Sequence, residues 1–327
     1  MKSVFIKNIP LTGALFIAAA GALPMYAQAA WPEKPIQVVV PFGPGGANDL
    51  MARVAATGLS KQLGQPVIIE NKPGAGAIIG ADYVAKAKPD GYTFLIGAAG
   101  VVTNSVLRAT MPYADSDLIP VGMIGVAPSV IVVRPDFPAN NLKELAAYAK
   151  GKGKEGLTFA TAGSGSTPHF VEEMLKEATG AQFVIVPFKS GQEGVNSVIG
   201  NTVDLTSEAS IVVLPQVKAG RLKALATTYR KRITAYDALP TAIEQGFPGV
   251  SIGHWAGLFA PKGTPLAVVE KMSVALQKVM SSTEAKDRLV PSGIEPAPGS
   301  TADFTVFVNQ ERARLGTLAK KAGMKSE

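Results

Sequence analysis

Short runs of β-branched residues alternate with amphipathic stretches along most of the chain. Residues 36–40 (IQVVV) read as a strand, and the glycine-rich turn 41–46 follows it. Met51, Ala55, Leu59 and Leu63 then recur every four residues, and Gly64 closes that pattern, which predicts a helix. Residues 67–70, 93–97, 157–160, 184–187 and 222–226 repeat the strand signal further along. Strands separated by 10–20-residue helical stretches predict an α/β fold with mostly parallel sheets and crossover helices. In such sheets ligands bind at the loops beyond the C-terminal ends of the strands.

Two longer apolar stretches, 124–133 (IGVAPSVIVV) and 250–260 (VSIGHWAGLFA), fit strands that cross between two lobes. The expected organisation is a discontinuous first lobe, 30–126 plus 252–327, and a second lobe, 127–251. Two lobes joined by two strands enclose a cleft and carry a hinge. No internal repeat interrupts this reading.

The first thirty residues break the pattern. Lys2 and Lys7 precede an apolar run at 11–23, and Ala27-Gln28-Ala29 supplies a small-x-small cleavage motif. This is the layout of a secretory leader cleaved after Ala29. The apolar core of 13 residues falls short of the roughly 20 needed to span a bilayer, which argues against a membrane anchor. Loss of the leader takes the formal charge from +7 to +5. The remaining basic residues are scattered, with only small groups at Lys152, Lys154 and 230–232, so nucleic acid is not an expected partner. A modest positive field favours collection of anionic solutes. The chain has no cysteine and only two histidines, His169 and His254. Disulfides, thiolate metal sites and cysteine nucleophiles are therefore excluded, and no metal or other cofactor is expected.

Four strand-to-helix loops carry the candidate chemistry. The first runs from Phe42 to Asp49. Gly45 and Gly46 let backbone N–H groups approach a ligand closely, and the following helix N-terminus favours an anion. Asp49 also reads as a plain helix cap. The loop is neither a P-loop nor a GxGxxG fingerprint. The second, 73–77, ends at Ala77. The third, 163–169, offers Ser164, Ser166 and Thr167 before His169, with Thr167 as N-cap and Pro168 as the first helical residue. His169 there is expected to be a neutral hydrogen-bond donor, or else a capping or packing histidine. The fourth, 187–191, includes Lys189 and Ser190. Asp204, which follows a strand-like pair, reads equally as a loop brace or a contact.

These loops, in this order, resemble the solute-binding proteins of tripartite tricarboxylate transporters, the Bug family. The family pattern PFxxGGxxDxxAR reads here Pro41-Phe42-Gly43-Pro44-Gly45-Gly46-Ala47-Asn48-Asp49-Leu50-Met51-Ala52-Arg53. The ENxPGAG…PDGYT pattern runs from Glu70-Asn71 to Thr93, a GSGTPHH-like loop spans 163–169, and VPYKG appears as Val186-Pro187-Phe188-Lys189-Ser190. Phe170, Phe188 and Ser190 depart from the family's histidine, tyrosine and glycine. The resemblance covers residues 31–323. It implies a two-lobed periplasmic-binding-protein fold of the type II-like, two-crossover kind, located in the periplasm. It also implies capture of a dicarboxylate or aromatic acid for membrane transporter subunits, with no catalysis. One carboxylate is expected on Phe42, Gly46, Asn48 and Asp49, and the ligand's other end at Ser164, Ser166, Thr167, His169, Lys189 and Asp204. Ala77 and Ser190 complete the candidate set, and a monomer is expected. Two alternatives stand beside this reading. An exported hydrolase would use Ser164 or Ser166 with His169, although GxSxG is absent. A sensor would present the same ligand to a signalling partner.

Overall fold

The computed structural model describes residues 1, 3 and 31–325. The expected leader and its cleavage point after Ala29 lie outside the described residues. From Pro32 onward the chain packs as one unit. It opens with β1 (Ile36–Val40), α1 (Ala47–Leu63), β2 (Val67–Asn71), α2 (Ile78–Ala85), β3 (Thr93–Gly97) and α3 (Ala99–Leu107). A long strand follows, β4 (Leu118–Val133), and then α4 (Leu142–Gly151), β5 (Leu157–Thr161) and α5 (Thr167–Thr179). Next come β6 (Phe183–Pro187), α6 (Gly191–Ile199), β7 (Leu205–Ala209), α7 (Ser210–Lys218) and β8 (Lys223–Thr227). The chain ends with β9 (Gly253–Pro261), α8 (Leu266–Ser281), α9 (Thr283–Leu289), β10 (Glu295–Pro296) and α10 (Thr301–Lys321). Among the described residues, no helix is long and apolar enough to cross a membrane.

Ten strands form a mixed sheet in the order β2-β1-β3-β9-β4-β7-β5-β6, with β8 and β10 also on β4. The expected crossover units are present. β1, β2 and β3 are parallel, and so are β5, β6 and β7. The mixed character comes from β4 and β9, which are antiparallel to each other and to their other neighbours. β4 is shared by both strand groups. Its residues 118–128 pair with β9, and residues 129–133 pair with β7.

The directions of the strands place the loops. β3 runs antiparallel to β9 and β9 antiparallel to β4, so β1–β3 run the same way as β4. β7 runs against β4, and β5 and β6 run with β7. The C-terminal ends of β1–β3 and of β5–β7 therefore face each other along β4. Gly97, the end of β3, is level with Gly257 and Met123, whereas Ala209, the end of β7, is level with Ser129. Six residues of strand separate the two levels, about 20 Å at 3.3 Å per residue.

Each strand group has its own apolar packing. Val39, Leu95, Trp255, Phe259 and Phe304 anchor the first. The outer edge of the Phe304 ring abuts Gly257, where a Cβ would collide with it. Phe159, Phe170, Leu175 and Leu205 anchor the second. Leu315, Ala319 and Met324 join that second cluster. The segment 252–327, expected in the first lobe alone, thus contributes to both because α10 spans from one group to the other.

Candidate functional site

Six helices, α1, α2, α3, α5, α6 and α7, start at the two facing edges. Five of them begin without a side-chain cap: at Gly46, Ala77, Ala98, Ser166 and Ala209. Of the four helices among the described residues that start elsewhere, α4, α9 and α10 are capped by Asn141, Ser282 and Ser300, and α8 follows Pro265 without a side-chain cap. Each uncapped start leaves first-turn N–H groups without intrahelical partners and a partial positive charge. The gap is therefore lined with donors suited to a small anion.

The first loop is held by Asp49. Its Oδ2 accepts the Gly45 N–H at 3.0 Å and Arg53 Nε at 2.9 Å. Its Oδ1 accepts Arg53 Nη2 at 3.0 Å and Asn71 Nδ2 at 2.9 Å. Asn71 also donates to the Phe42 carbonyl at 3.0 Å. Burial pushes the Asp49 carboxyl up, but the hydrogen bonds from Arg53, Gly45 and Asn71 outweigh it and hold the group below its ordinary value. Both oxygens are engaged, so Asp49 braces the loop instead of capping the helix or facing a ligand. Arg53 and Asn71, which stand in the motifs but not among the expected site residues, complete this brace. Gly45 needs its glycine, with φ at +87°. Gly46 is extended, and a Cβ there would meet no atom within 4 Å. Asn48 Oδ1 is buried without a hydrogen-bond partner.

The second loop is left-handed at Ala75, Gly76 and Ala77, with φ of +48°, +64° and +78°. Such backbone is uncommon for alanine and clusters at functional sites. Asn104 on α3 anchors it by donating to the Gly76 carbonyl at 2.9 Å.

The third loop differs in detail from expectation. The N-cap of α5 is Ser166, so Thr167 and Pro168 sit one position further into the helix. Ser166 Oγ turns back to donate to the Gly163 carbonyl at 2.7 Å, and Ser164 Oγ donates to the Lys325 carbonyl at 2.6 Å. Both serine protons are thus committed to the backbone. Thr167 is buried as the first residue of α5. His169 Nδ1 accepts the Gly165 N–H at 3.2 Å, and burial holds the imidazole below its ordinary value. It is neutral, with its proton on Nε2. No Ser–His pair forms, which removes the geometric basis for a hydrolase.

On the fourth loop, Ser190 Oγ caps α6 by accepting the Glu193 N–H at 3.3 Å. Lys189 is exposed. Asp204 is a correction. It precedes β7 at the strand's N-terminal end, opposite the gap, where its Oδ2 accepts the Thr158 N–H and Oγ1–H at 2.9 and 2.8 Å. It braces β5 against β7. Two cavities, of about 280 Å³ beside Trp255 and Phe307 and about 570 Å³ beside Asp82 and Tyr83, contain none of the expected residues.

Behind the third loop, ligand atoms of His169, Glu172 and Glu173 lie within 4.8 Å of one another. Glu173 pairs with Lys176 at 3.4 Å. Both oxygens of Glu172 are buried without a hydrogen-bond partner. Burial, reinforced by the Glu173 charge, pushes Glu172 up to about 8. With Glu172 protonated and His169 neutral, the Glu173–Lys176 ion pair carries the charge of this cluster. The folded state keeps the Glu172 proton to about pH 8, whereas the unfolded chain releases it near the ordinary 4.5. Between these values the folded state binds more protons, so stability falls as pH rises, by up to about 1.4 kcal/mol per unit. Glu172→Gln, neutral at every pH, is expected to gain stability over the parent as pH rises from 5 to 8. Urea unfolding at both pH values checks this, and a pH-independent difference would contradict it.

Known proteins share this fold. The sequence profile described as "Tripartite tricarboxylate transporter family receptor" matches residues 51–324. The chain belongs to that receptor family. Protein BugT of Bordetella pertussis is 33% identical over 95% of this chain and 96% of its own length. Among solved structures, Rpa4515 of R. palustris with adipate shares 34% identity at a TM-score of 0.82, covering 90% of this chain and 99% of that one. MatC of Rhodopseudomonas palustris with bound malate shares 29% identity at a TM-score of 0.77, covering 88% and 99%. As a family receptor the chain has the fold that the motifs imply, and the family is one of receptors, not enzymes. The PFxxGGxxDxxAR and EN patterns acquire a physical meaning here: they encode the Asp49–Arg53–Asn71 brace.

Proposed function

We propose that this protein is an exported solute receptor that captures a small carboxylate between the facing strand edges. Its leader is removed after Ala29, and the mature receptor works in the periplasm as a monomer. It delivers its ligand to the membrane subunits of a tripartite tricarboxylate-type transporter. The observation that carries this reading is the set of five uncapped helix N-termini turned toward one gap. The adipate and malate found in relatives are consistent with it. One carboxylate rests on the N–H groups around Gly46 and Asn48, and the other end of the ligand reaches Thr167, His169 and Lys189. The two strand groups act as lobes, 30–126 plus 252–327 and 127–251. They hinge where β4 passes from β9 to β7, near residue 128, and where the chain returns near 252.

A thermal-shift screen of the exported protein tests the reading, with C4–C8 diacids, aromatic acids, amino acids and nicotinate as probes. At a hundred times the dissociation constant, bound ligand adds about 2.7 kcal/mol of stability, a rise of several degrees. Mass spectrometry should recover the acid unchanged. No shift with any acid, or turnover of a bound one, would overturn the reading.

A further inference from the structure

Glu208 and His254 lie outside the four loops, yet their strand positions border the gap. Glu208 pairs with Val130 and His254 with Ala127 on β4, close to the interval between the two facing edges. The Glu208 side chain is 9% exposed. Its Oε1 accepts the N–H of Ala209, the N-cap of α7, at 2.8 Å and lies 3.3 Å from His254 Nε2. Its Oε2 lies against Gly191, the first residue of α6, so closely that a Cβ there would collide with it. The chain's own carboxylate thus fills the space before two helix N-termini on the second strand group. Burial lowers the His254 imidazole ahead of the opposing pull from Glu208, so the histidine does not cancel that charge. A second carboxylate arriving here would meet like charge in a poorly solvated place. A donor would find a ready acceptor.

We propose that Glu208 sets the specificity for the far end of the ligand: the receptor takes a monocarboxylate whose other end is an ammonium, amide or hydroxyl donor, in preference to a second carboxylate. This inference rests on the receptor reading above and narrows its substrate class. The first carboxylate stays on the α1 loop, and Glu208 receives the donor.

Matched acids of equal length test it by calorimetric titration: succinate against 4-aminobutanoate and succinamate, and adipate against 6-aminohexanoate. The wild-type protein is expected to bind the amino or amide member roughly ten- to a hundredfold more tightly than the diacid, the span of a charge-assisted hydrogen bond. Glu208→Gln, which keeps the acceptor for the Ala209 N–H, should erase that preference. Glu208→Asp, which keeps the charge but draws it back, should retain part of it and serves if the glutamine variant does not fold. A wild-type preference for the diacid, or a ratio unchanged in the variants, would overturn the inference and leave the receptor reading intact. Binding of neither kind of acid at either length would overturn the receptor reading for such acids, and this inference with it.

Discussion

Replacing Gly46 with valine removes most carboxylate binding and leaves the fold intact. Gly46 is the N-cap of α1 with φ at −80° and ψ at 175°, a conformation open to any residue. A Cβ at this position meets no protein atom within 4 Å, so the added side chain extends into the space an anion would occupy. The helix itself loses about 1 kcal/mol or less through the poorer cap. A ligand carboxylate displaced from the first-turn N–H groups loses one or more charge-assisted hydrogen bonds, each of about 1.5–3 kcal/mol. Affinity should therefore fall by roughly tenfold to a hundredfold or more. Titration with the tightest acid from the thermal-shift panel, with circular dichroism to follow folding, reads both effects. A folded Gly46→Val protein that binds like the parent would remove the anion from this loop.

Asp49→Asn produces a different failure, in which stability and binding decline together. Asparagine has one acceptor oxygen in place of two, and its amide must turn toward Arg53, Gly45 or Asn71, all of which donate to Asp49. Loss of charge on a buried acceptor with four donors is expected to cost on the order of 2–3 kcal/mol. The figure stays at that level because the Arg53 side chain is half exposed and its share is screened. The loop then no longer presents its N–H groups in register, so affinity falls as well. The sign with pH is the reverse of the Glu172 case. The Asp49 carboxyl is held below its ordinary 3.8, so its contribution is present above that value and fades as pH falls through the depressed one. Parent and variant should converge in acid. Urea unfolding at pH 7 and pH 3 measures this, and equal stability at pH 7 would contradict the brace.

Much of the fold was legible because the relevant signals are local. The IQVVV run is β1, and the four-residue apolar spacing is α1, closed by Gly64 in the left-handed conformation. β4 was legible only in its second half. Pro120 and Gly122 break the strand pattern between 118 and 123, and the chain absorbs them through register shifts at 120/122 and 123/125. The start of α5 moved by one residue because Ser166 bonds backward to Gly163 instead of capping. Site residues were legible where a strand end and a glycine-rich turn coincide, as at 41–49. Asp204 was misassigned because the strand-like pair before it, 202–203, is a bend, and β7 begins only after it at Leu205, which leaves Asp204 at the strand's N-terminal end. Glu208 and His254 escaped for a related reason. His254 lies inside the apolar stretch 250–260, whereas Glu208 lies on β7, a strand outside every run predicted from the sequence, and only the pairing of both strands with β4 brings them together.

The most direct test is a crystal structure of the exported protein with the tightest acid from the panel. The ligand is predicted to lie between the ends of β1–β3 and β5–β7. One carboxylate should accept hydrogen bonds from the first-turn N–H groups of α1 beside Gly46, with the Asp49–Arg53–Asn71 brace unchanged behind it. A carboxylate bound anywhere else, with the α1 N-terminus left to solvent, would contradict the account.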